Sequence, residues 1–433
     1  MTQLTEAKAG RITPEAKQVA QKEKIPVEKI RRGIAAGRIV LLKNEKHDVA
    51  PVGIGQGLRV KVNANIGTSR DYCNLEEEKE KARVSVEAGA DTVMDLSTGG
   101  DLAKIRKEIM KAAKVPIGTV PIYEAAAKAA KSGKGIVGMC EDDFFKAVEG
   151  QLRQGVDFLT VHCGISKEIA MKIGKKKRLT GVVSRGGAFT VAWILHNGKD
   201  NPLHQNFDYL LELARDYDAT LSLGDGLRPG ALADAGDYFQ LAELKELGRL
   251  VQRSRKAGVM AMVEGPGHVP INQIPAQMKL EKKLCYGAPF YVLGPLVCDV
   301  GAGYDHITAA IGGAIAAMNG ADFLCYVTPS EHLALPTVDE VRQGVVATKI
   351  AAHAVDLTRF KDEWNRDVEM SRARAALDWK KMYSLALDGK TAQAIRKKRC
   401  PGDEKVCSMC GDLCAIKVLK DALGEKGKKK GVC

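Results

Sequence analysis

The stretch TVMDLS (92–97) is a short apolar run that ends in polar residues and is followed by a helical pattern, and this unit recurs along the chain. Eight such runs occur: TVMDLS (92–97), IGTVPIY (117–123), FLTVHCG (158–164), GVVSRGG (181–187), TLSLGDG (220–226), AMVEGPG (261–267), FYVLGPL (290–296) and FLCYVT (323–328). Strands that alternate with amphipathic helices indicate a parallel sheet. Eight units favour an α/β fold of the closed (β/α)8 TIM-barrel type, with an open doubly wound sheet as the alternative.

The regions that flank these units have a different pattern. Residues 1–75 are predicted to form a small N-terminal α+β region, with helices at 14–22 and 27–36. We assign 76–350 to the barrel, which would carry the substrate site, and 351–433 to a helical C-terminal region with a cysteine cluster. The Lys- and Gly-rich tail after Gly424 is predicted to be disordered.

Composition excludes several classes of protein. The chain has 433 residues and a formal charge of +13, and its eleven cysteines are an odd number. Neither a run of ~18 apolar residues nor an apolar N-terminal signal is present, so membrane and secreted proteins are not expected. We expect a cytoplasmic protein whose thiols serve as metal ligands rather than disulfides. The short basic runs, such as 175–178, are typical of solvated surface and favour no nucleic-acid partner.

Polar residues cluster where the predicted strands end. These positions hold Asp95, Tyr123, His162, Ser184, Arg185, Asp225, Arg228, Glu264, His268, Glu331 and His332. Active sites of (β/α)8 barrels lie at the carboxyl ends of the strands. The pattern therefore predicts one site at that face of the barrel.

The cysteine run Cys407-Ser-Met-Cys410-Gly-Asp-Leu-Cys414 is the strongest single motif. Three thiolates within eight residues can converge on one metal centre. An iron–sulfur cluster held by three cysteines would keep one iron open for a ligand. A structural zinc would need a fourth ligand, for which Cys400 or Cys433 are candidates. Plain thiols remain the third interpretation.

Two further constellations point to ligands. His268 and His332 both follow strand ends, and two imidazoles with open positions suit a divalent metal, although single histidines are usually structural. Arg185 beside Ser184, together with Arg228, offers guanidinium forks for a phosphate, with structural salt bridges as the alternative. Asn65 and its neighbour Asn63 are suited to hydrogen-bonding a ring or a ribose, or to holding a turn.

Several long motifs resemble one known family. They are NANIGTS (63–69), VMDLSTGGDL (93–102), GTVPIY (118–123), TVHCGI (160–165), SRGG (184–187), SLGDGLRPG (222–230), EGPGHVP (264–270), PFYVLGPLV (289–297), GYDHIT (303–308), LCYVTPSEHL (324–333) and CSMCG (407–411). Together they cover nearly the whole chain and resemble the phosphomethylpyrimidine synthases, which make the pyrimidine of thiamine. That family consists of atypical radical S-adenosylmethionine (SAM) lyases on a (β/α)8 barrel.

The resemblance implies a specific reaction. The substrate would be 5-aminoimidazole ribotide, rearranged to 4-amino-5-hydroxymethyl-2-methylpyrimidine phosphate with release of formate and carbon monoxide. A 4Fe-4S cluster on Cys407, Cys410 and Cys414 would bind SAM, and its reduction would give a 5′-deoxyadenosyl radical that takes hydrogen from the ribose. An electron donor such as flavodoxin or ferredoxin would be needed. Family members are homodimers in which the cluster-bearing tail reaches over the neighbouring barrel.

The resemblance also implies roles for individual residues. His268 and His332 would bind one zinc or iron ion. The ribotide would be bound by Asn65, Met94, Tyr123, His162, Ser184, Arg185, Gly186, Asp225, Gly226, Leu227, Arg228, Glu264 and Tyr291.

The chain also departs from the family pattern. It has three residues between the second and third cysteine where some members have four, and it carries Cys298 and Gly301-Ala302 where a threonine and Ala-Pro are expected. These departures keep open a close paralogue, 5-hydroxybenzimidazole synthase, which uses the same substrate and cofactors for anaerobic cobamide biosynthesis. More distant alternatives are a zinc-stapled nucleic-acid-binding protein and an aldolase-like barrel, although no strand-end lysine stands out for the latter.

Overall fold

The computed structural model describes residues 1–399 and 405–423. It divides into two compact units, Met1–Val355 and Asp356–Cys433, each of which is described by itself. Cys400, Cys433 and the tail after Gly424, for which the sequence made predictions, lie outside the described residues. Within the described ranges, no helix combines the length and the apolar character needed to cross a bilayer.

Eight parallel strands close into a barrel in the first unit. They pair in chain order, and the last strand pairs with the first. The strands are β3 (Lys61–Ile66), β4 (Thr92–Asp95), β5 (Ile117–Thr119), β6 (Phe158–Val161), β7 (Thr220–Leu223), β8 (Ala261–Gly265), β9 (Phe290–Leu293) and β10 (Phe323–Cys325). The barrel is closed by the pairing of β10 with β3, in which Cys325 lies opposite Asn63. The predicted (β/α)8 barrel is therefore confirmed.

Helices surround the barrel and bury one apolar face each. They are α4 (Leu75–Glu87), α5 (Leu102–Ala113), α6 (Pro121–Lys131), α7 (Glu141–Arg153), α8 (Lys167–Ala170), α9 (Arg185–Asn197), α10 (Pro202–Gln205), α11 (Phe207–Asp216), α12 (Tyr238–Ala257), α13 (Ile274–Leu284), α14 (Asp305–Met318) and α15 (Val338–Asp356). In α12 the side chain of Asp237 accepts a hydrogen bond from the amide of Gln240 at 2.9 Å, and Gly258 in the left-handed conformation ends the helix. Caps of this kind set the residue at which a helix begins and the residue at which it ends.

One of the eight predicted strands is wrong. Residues 181–187 form a loop and the start of α9, whereas the eighth strand is β3, at 61–66. The segment 181–183 offers only two apolar residues, and Val183 is exposed. In β3, Asn63 and Asn65 share one face because side chains alternate along a strand, and Asn65 lines a cavity in the barrel. Three polar side chains within six residues, those of Lys61, Asn63 and Asn65, hid this strand from the apolar pattern.

The N-terminal segment packs against the barrel through helices and a hairpin. It comprises α1 (Gln3–Lys8), α2 (Pro14–Glu23), α3 (Val27–Ala35) and the antiparallel pair β1 (Ile39–Leu42) and β2 (Val52–Gly55). The predicted helices at 14–22 and 27–36 are thus confirmed within one residue at each end. Thr2 Oγ1 donates to the carbonyl of Gly258 at 2.6 Å, and the Gln3 amide donates to both oxygens of Asp218 at 3.1 Å.

Asp218 makes this attachment dependent on pH. Burial raises the pKa of Asp218 to about 7, so the folded protein holds a proton that the unfolded chain loses near the ordinary value of 3.8. Stability therefore falls as pH rises from about 4 to about 7. We expect Asp218→Asn to be more stable than the wild type at about pH 8 and to gain little at about pH 4, because asparagine tolerates the left-handed backbone at φ 50°.

Thermal denaturation at both pH values measures this effect. Asp216→Asn is the matched control, since Asp216 is exposed at the end of α11. A gain that is equal at both pH values would contradict the role assigned to Asp218.

The second unit is helical. It contains α16 (Lys361–Ala376), α17 (Trp379–Leu385), α18 (Gly389–Lys398) and α19 (Ala415–Ala422), with a short 3-10 turn at Gly411–Leu413. The guanidinium of Arg396 lies 4.2 Å from the ring centre of Trp379 and donates to the carbonyl of Val406 at 3.0 Å. Trp379 Nε1 donates to the carbonyl of Lys405 at 3.1 Å. These contacts fix the chain just before the cysteine run.

Candidate active site

A cavity opens at the carboxyl ends of the barrel strands. This barrel cavity has about 470 Å³ of empty space and is lined by Asn65, Met94, Leu96, Val120, Tyr123, Thr160, His162, Asp225, Arg228, Glu264, Gly265, Tyr291, Val292, Leu293 and Cys325. Eight of the thirteen residues proposed for the ribotide are in this lining: Asn65, Met94, Tyr123, His162, Asp225, Arg228, Glu264 and Tyr291. The sequence pattern of polar strand ends thus corresponds to one continuous surface.

The other five proposed residues lie beside the barrel cavity. Arg185 lines a second, larger space, the outer cavity, together with Asn65, Tyr123 and Arg228, so the two cavities adjoin. Ser184 Oγ lies 3.2 Å from His162 Nε2, and Gly186 packs against the same imidazole. Gly226 and Leu227 belong to the loop between Asp225 and Arg228, and the Leu227 amide donates to Glu243 at 2.7 Å.

The residues Ser184 and Arg185 reach the site from a helix rather than from a strand end. Ser184 caps α9, and its Oγ accepts a hydrogen bond from the amide of Gly187 at 3.2 Å. Arg185 is exposed and its guanidinium lies 5.0 Å above the ring centre of Tyr123. Among the ion pairs of the described residues none involves Arg185, so its charge is available to a ligand. A helix N-terminus beside an arginine favours an anion.

Buried acids and a cation meet on the other side of the barrel cavity. Arg228 Nη1 donates to Asp225 Oδ1 at 2.9 Å. Burial raises the pKa of Asp225 to about 7 against the opposing charge of Arg228. Burial also raises the pKa of Glu264, which accepts hydrogen bonds from Thr160 at 2.6 Å and Ser222 at 3.0 Å. Asp225 can therefore carry a proton near neutral pH, and the pKa of Glu264 is shifted in the same direction.

His162 is neutral at the centre of this wall. Burial lowers its pKa to about 3, and the charge of Arg228 acts in the same direction. Its Nδ1 is buried and, within the described ranges, makes no hydrogen bond. A neutral imidazole can donate through one nitrogen and accept through the other, which suits a polar uncharged part of a ligand.

A network of amides and a phenol orders the floor of the barrel cavity. Asn63 Nδ2 donates to Asn65 Oδ1 at 2.7 Å and to the hydroxyl of Tyr291 at 2.8 Å. Asn65 Nδ2 in turn lies 3.0 Å from Cys325 Sγ. Because Asn63 is fully buried and links these groups, it orients Asn65 rather than meeting a ligand itself. The alternative that these asparagines merely hold a turn does not apply, since both lie in β3.

Sequence reasoning missed several lining residues. Thr160 and Cys325 line the barrel cavity, and Ser222 supports Glu264. Thr160 precedes His162 by two positions and therefore shares its face of the strand. A residue two positions before a strand-end residue faces the same side of the sheet. Applying this rule to each strand could have identified Thr160 from the sequence.

The two predicted metal-binding histidines are neighbours. The ring centres of His268 and His332 are 5.3 Å apart. His268 Nδ1 lies 2.8 Å from Asp299 Oδ1, and His332 Nδ1 lies 3.2 Å from Asp305 Oδ2. Carboxylates that bind one ring nitrogen typically orient metal-binding imidazoles, which then use Nε2. Still, no group of three or more His, Cys, Asp or Glu side chains in 1–399 and 405–423 is arranged to hold a metal ion.

The cysteine run offers the donor chemistry of an iron–sulfur ligand set. Cys407, Cys410 and Cys414 are free thiols, of which Cys410 is exposed. Hydrogen bonds from the backbone amides of Met409 and Cys410 lower the pKa of Cys407, which favours the thiolate that binds metal. Gly411, at φ 52°, allows its amide to return to the carbonyl of Cys407 at 2.9 Å. The three cysteines offer the donor type of a thiolate-bound cluster, although the described residues do not bring the three thiols together as a metal-binding group.

Gly186 provides a test of the α9 side of the site. A Cβ atom at this position would lie 2.2 Å from Cε1 of His162, so Gly186→Ala must displace the buried imidazole. Overpacking of this kind costs about 1–3 kcal/mol, and we expect lower thermal stability and weaker binding of the ribotide. The matched control is Gly150→Ala in α7, where nothing lies within 4 Å of the added atom and helix propensity favours alanine. Equal affinities in calorimetric titrations of both variants would contradict the placement.

The fold and the site define a class of protein: a (β/α)8 barrel with a cavity and polar residues at the carboxyl ends of its strands, in a chain that also carries a triple-cysteine motif. Residues 2–421 match the family described as "Radical SAM ThiC family". The chain belongs to this family, and membership implies the use of SAM and an iron–sulfur cluster.

Curated relatives are similar over nearly their whole length. The phosphomethylpyrimidine synthase of Pyrococcus furiosus is 59% identical over 429 residues, which cover 99% of this chain and 100% of the relative. The phosphomethylpyrimidine synthases of Methanocaldococcus jannaschii and Moorella thermoacetica are 55% and 54% identical over 427 residues, or 98% of this chain and 100% and 99% of theirs. Among solved structures, dihydropteroate synthase from Thermus thermophilus has a TM-score of 0.41 at 14% identity, covering 73% of this chain and 99% of that one.

Proposed function

We propose that the protein is a radical SAM lyase that rearranges 5-aminoimidazole ribotide to 4-amino-5-hydroxymethyl-2-methylpyrimidine phosphate for thiamine biosynthesis, with release of formate and carbon monoxide. The observation that carries this proposal is the barrel cavity, which combines Arg228, and Arg185 beside it, with neutral and acidic hydrogen-bonding groups. Relatives at 54–60% identity that carry the name phosphomethylpyrimidine synthase support the same reaction. The family assignment replaces the nucleic-acid-binding and aldolase-like alternatives.

The phosphate of the ribotide is assigned to the start of α9. Arg185 supplies a fork of N–H donors there, and the first turn of the 13-residue helix supplies amides and a positive dipole end. Because Ser184 has a small side chain and Gly186 has none, the phosphate can approach the backbone amides at these positions closely. Arg228, bound to Asp225, lies between the phosphate and the ring.

The ribose and the imidazole are assigned to the polar wall of the barrel cavity. The wall offers acceptors and donors in fixed positions: Asn65, His162, Asp225, Glu264 and Tyr291. Glu264 is held by two hydroxyl groups, and Tyr291 by the amide of Asn63. Met94 and the strand-end leucines supply an apolar side that excludes water. The main chain of Gly226 and Leu227 holds Asp225 and Arg228 in place.

The cofactors are assigned to the remaining groups. Cys407, Cys410 and Cys414 would hold a 4Fe-4S cluster, which with bound SAM supplies a carbon radical that abstracts hydrogen. We assign SAM to the outer cavity, which adjoins the barrel cavity through Asn65, Tyr123 and Arg228. The electron comes from a donor such as flavodoxin or ferredoxin, and we propose a homodimer as the active form.

Mass spectrometry of the product tests the proposed function. Reconstituted protein, incubated anaerobically with 5-aminoimidazole ribotide, SAM and a reductant, should release a phosphorylated pyrimidine. A benzimidazole without phosphate would instead assign the chain to the paralogous reaction. Absence of any product in the presence of an intact cluster would reject both.

His268 provides a test of the divalent metal. We propose that Nε2 of His268 and of His332 bind zinc or iron, because both Nδ1 atoms already bind carboxylates. Removal of a ligand typically weakens binding by at least about tenfold, so His268→Ala should lose one divalent ion beyond those of the cluster. His196→Ala, on the exposed face of α9, is the control. Elemental analysis that finds equal metal in both variants would contradict this site.

A further inference from the structure

A second cavity, lined mostly by apolar surface with a few buried polar groups, lies behind the barrel cavity, between the strands and the helices α12 and α13. This rear cavity has about 420 Å³ of empty space and shares Asp225, Arg228 and Glu264 with the barrel cavity. Its other side is formed by residues of α12 and α13 that are only half buried, such as Leu241 and Gln277, so it extends towards solvent between these helices. The part of this space that the centre of a water molecule can occupy is about 30 Å³, enough for about two waters.

Buried polar atoms face this space without partners. Asp225 Oδ2, Glu243 Oε1 and both carboxylate oxygens of Glu281 form no hydrogen bond with the residues that the structure describes. The exposed fractions of these three residues are 7%, 2% and 0%. The nearest charge to Glu281 is Lys282 Nζ, 3.9 Å from Oε2. A buried polar atom without a hydrogen-bond partner is destabilising, and a bound water offsets this cost.

Glu243 is the side chain that joins the rear cavity to the loop of Asp225 and Arg228. Its Oε2 accepts the amide of Leu227 at 2.7 Å, within that loop, while its Oε1 is free to meet water. Burial and then the charge of Asp225 raise the pKa of Glu243 well above its ordinary value. A protonated carboxyl can donate one hydrogen bond and accept others, as a proton store requires.

We propose that the rear cavity holds ordered water that links Asp225 to solvent between α12 and α13, and that Glu243 stores the proton that Asp225 exchanges. One proton moves along hydrogen bonds from a carboxyl O–H to water and from water to the next oxygen, and each water returns to its neutral form. No other bond is broken and no oxidant or reductant is needed. The importance of this route for turnover rests on the proposed function, in which Asp225 contacts the ribotide.

Charged and titratable groups surround both Glu243 and Asp225. Glu243 faces Asp225, Arg178 and the thiol of Cys163. Asp225 faces Arg228, Glu264, Glu243 and the phenol of Tyr123. Both arginines are cations throughout the physiological range, and burial raises the pKa of the Cys163 thiol and of the Tyr123 phenol, so proton exchange near neutral pH is left to the carboxyl groups.

A crystal structure of the full chain at a resolution that shows water tests the first half of the proposal. We expect ordered water within hydrogen-bonding distance of both Asp225 Oδ2 and Glu243 Oε1. An empty cavity, a metal ion, or side chains collapsed onto these atoms would overturn it. This measurement needs no variant and no turnover, so its failure would leave the proposed function unaffected.

Infrared spectroscopy tests the proton store. The wild type at neutral pH should show the C=O stretch of a protonated buried carboxyl that Glu243→Gln lacks, and the band should shift on transfer to D2O because water reaches the group. Glu246→Gln is the matched control, since Glu246 lies on the same helix but binds His204 and Arg249 outside the rear cavity. A difference spectrum between the wild type and Glu243→Gln without a carboxyl C=O band, or a difference band that does not shift in D2O, would refute the proposal, since other buried acids such as Asp225 keep their own bands. If Glu243→Gln does not fold, Glu243→Asp, which should move the band rather than remove it, takes its place.

Discussion

Cys410→Ala is expected to abolish turnover completely while Met1–Val355 stays folded. In this variant an iron–sulfur cluster held by three thiolates loses one of its three protein ligands. Cys410 is exposed, so its replacement removes little packing. After anaerobic reconstitution, the variant should show almost no bound iron and sulfide and no reductive cleavage of SAM.

A second cysteine variant separates the cluster from general thiol chemistry. Cys140→Ala removes an equally exposed cysteine from the barrel unit, at the start of α7, and should keep wild-type iron content and activity. Circular dichroism should show the same helical content in both variants. Wild-type turnover in Cys410→Ala would refute the assignment of the three cysteines.

Arg185→Ala is expected to weaken binding of 5-aminoimidazole ribotide by about 2–4 kcal/mol, which corresponds to roughly 30- to 1000-fold in the dissociation constant. The guanidinium is exposed, stacks on Tyr123 and stands at the start of α9 beside Ser184. Removing it leaves the phosphate without its charged partner in a cavity that also contains acidic groups. Because the side chain is not part of the core, thermal stability should change little.

Two controls sharpen this prediction. Arg185→Lys keeps the positive charge but loses the planar fork, so we expect an intermediate affinity. The nucleoside without phosphate should bind the wild type and Arg185→Ala equally, because it does not reach the arginine. Calorimetric affinities for the ribotide that are the same in wild type and Arg185→Ala would contradict the phosphate site.

The barrel was predictable because seven of its strands are apolar runs followed by polar residues and a helix. The eighth strand, β3, was missed because Asn65, which lines the barrel cavity, and Asn63, which orients it, interrupt its apolar run. In this strand, polar residues that serve the site stand where a buried strand usually has apolar residues, so the sequence lacked the usual apolar run. The segment 181–187 was mistaken for a strand because Val182 and Val183 precede a polar turn, although that turn is the cap of α9.

The site was predictable as a set of residues but not as an arrangement. Strand-end chemistry and the resemblance to the family singled out the lining of the barrel cavity, and the barrel places His268 next to His332 although they lie far apart in the sequence. The carboxylates that orient these rings, Asp299 and Asp305, carry no motif of their own. Glu243 lies within the amphipathic pattern of α12, where a buried acid is not distinguishable from a solvated one.

Transfer of deuterium from substrate to 5′-deoxyadenosine tests the central claim most directly, because it requires the ribotide in the barrel cavity and SAM chemistry at the cysteine motif to meet in one reaction. The protein is reconstituted with iron and sulfide, and 5-aminoimidazole ribotide deuterated in the ribose is supplied with SAM and a reductant. The account predicts deuterium in the 5′-deoxyadenosine that is released, and loss of this label in Cys410→Ala. The ribotide is tested with deuterium at each ribose position in turn. If SAM is cleaved and product forms in every case, but no deuterium appears in the 5′-deoxyadenosine, the account is contradicted.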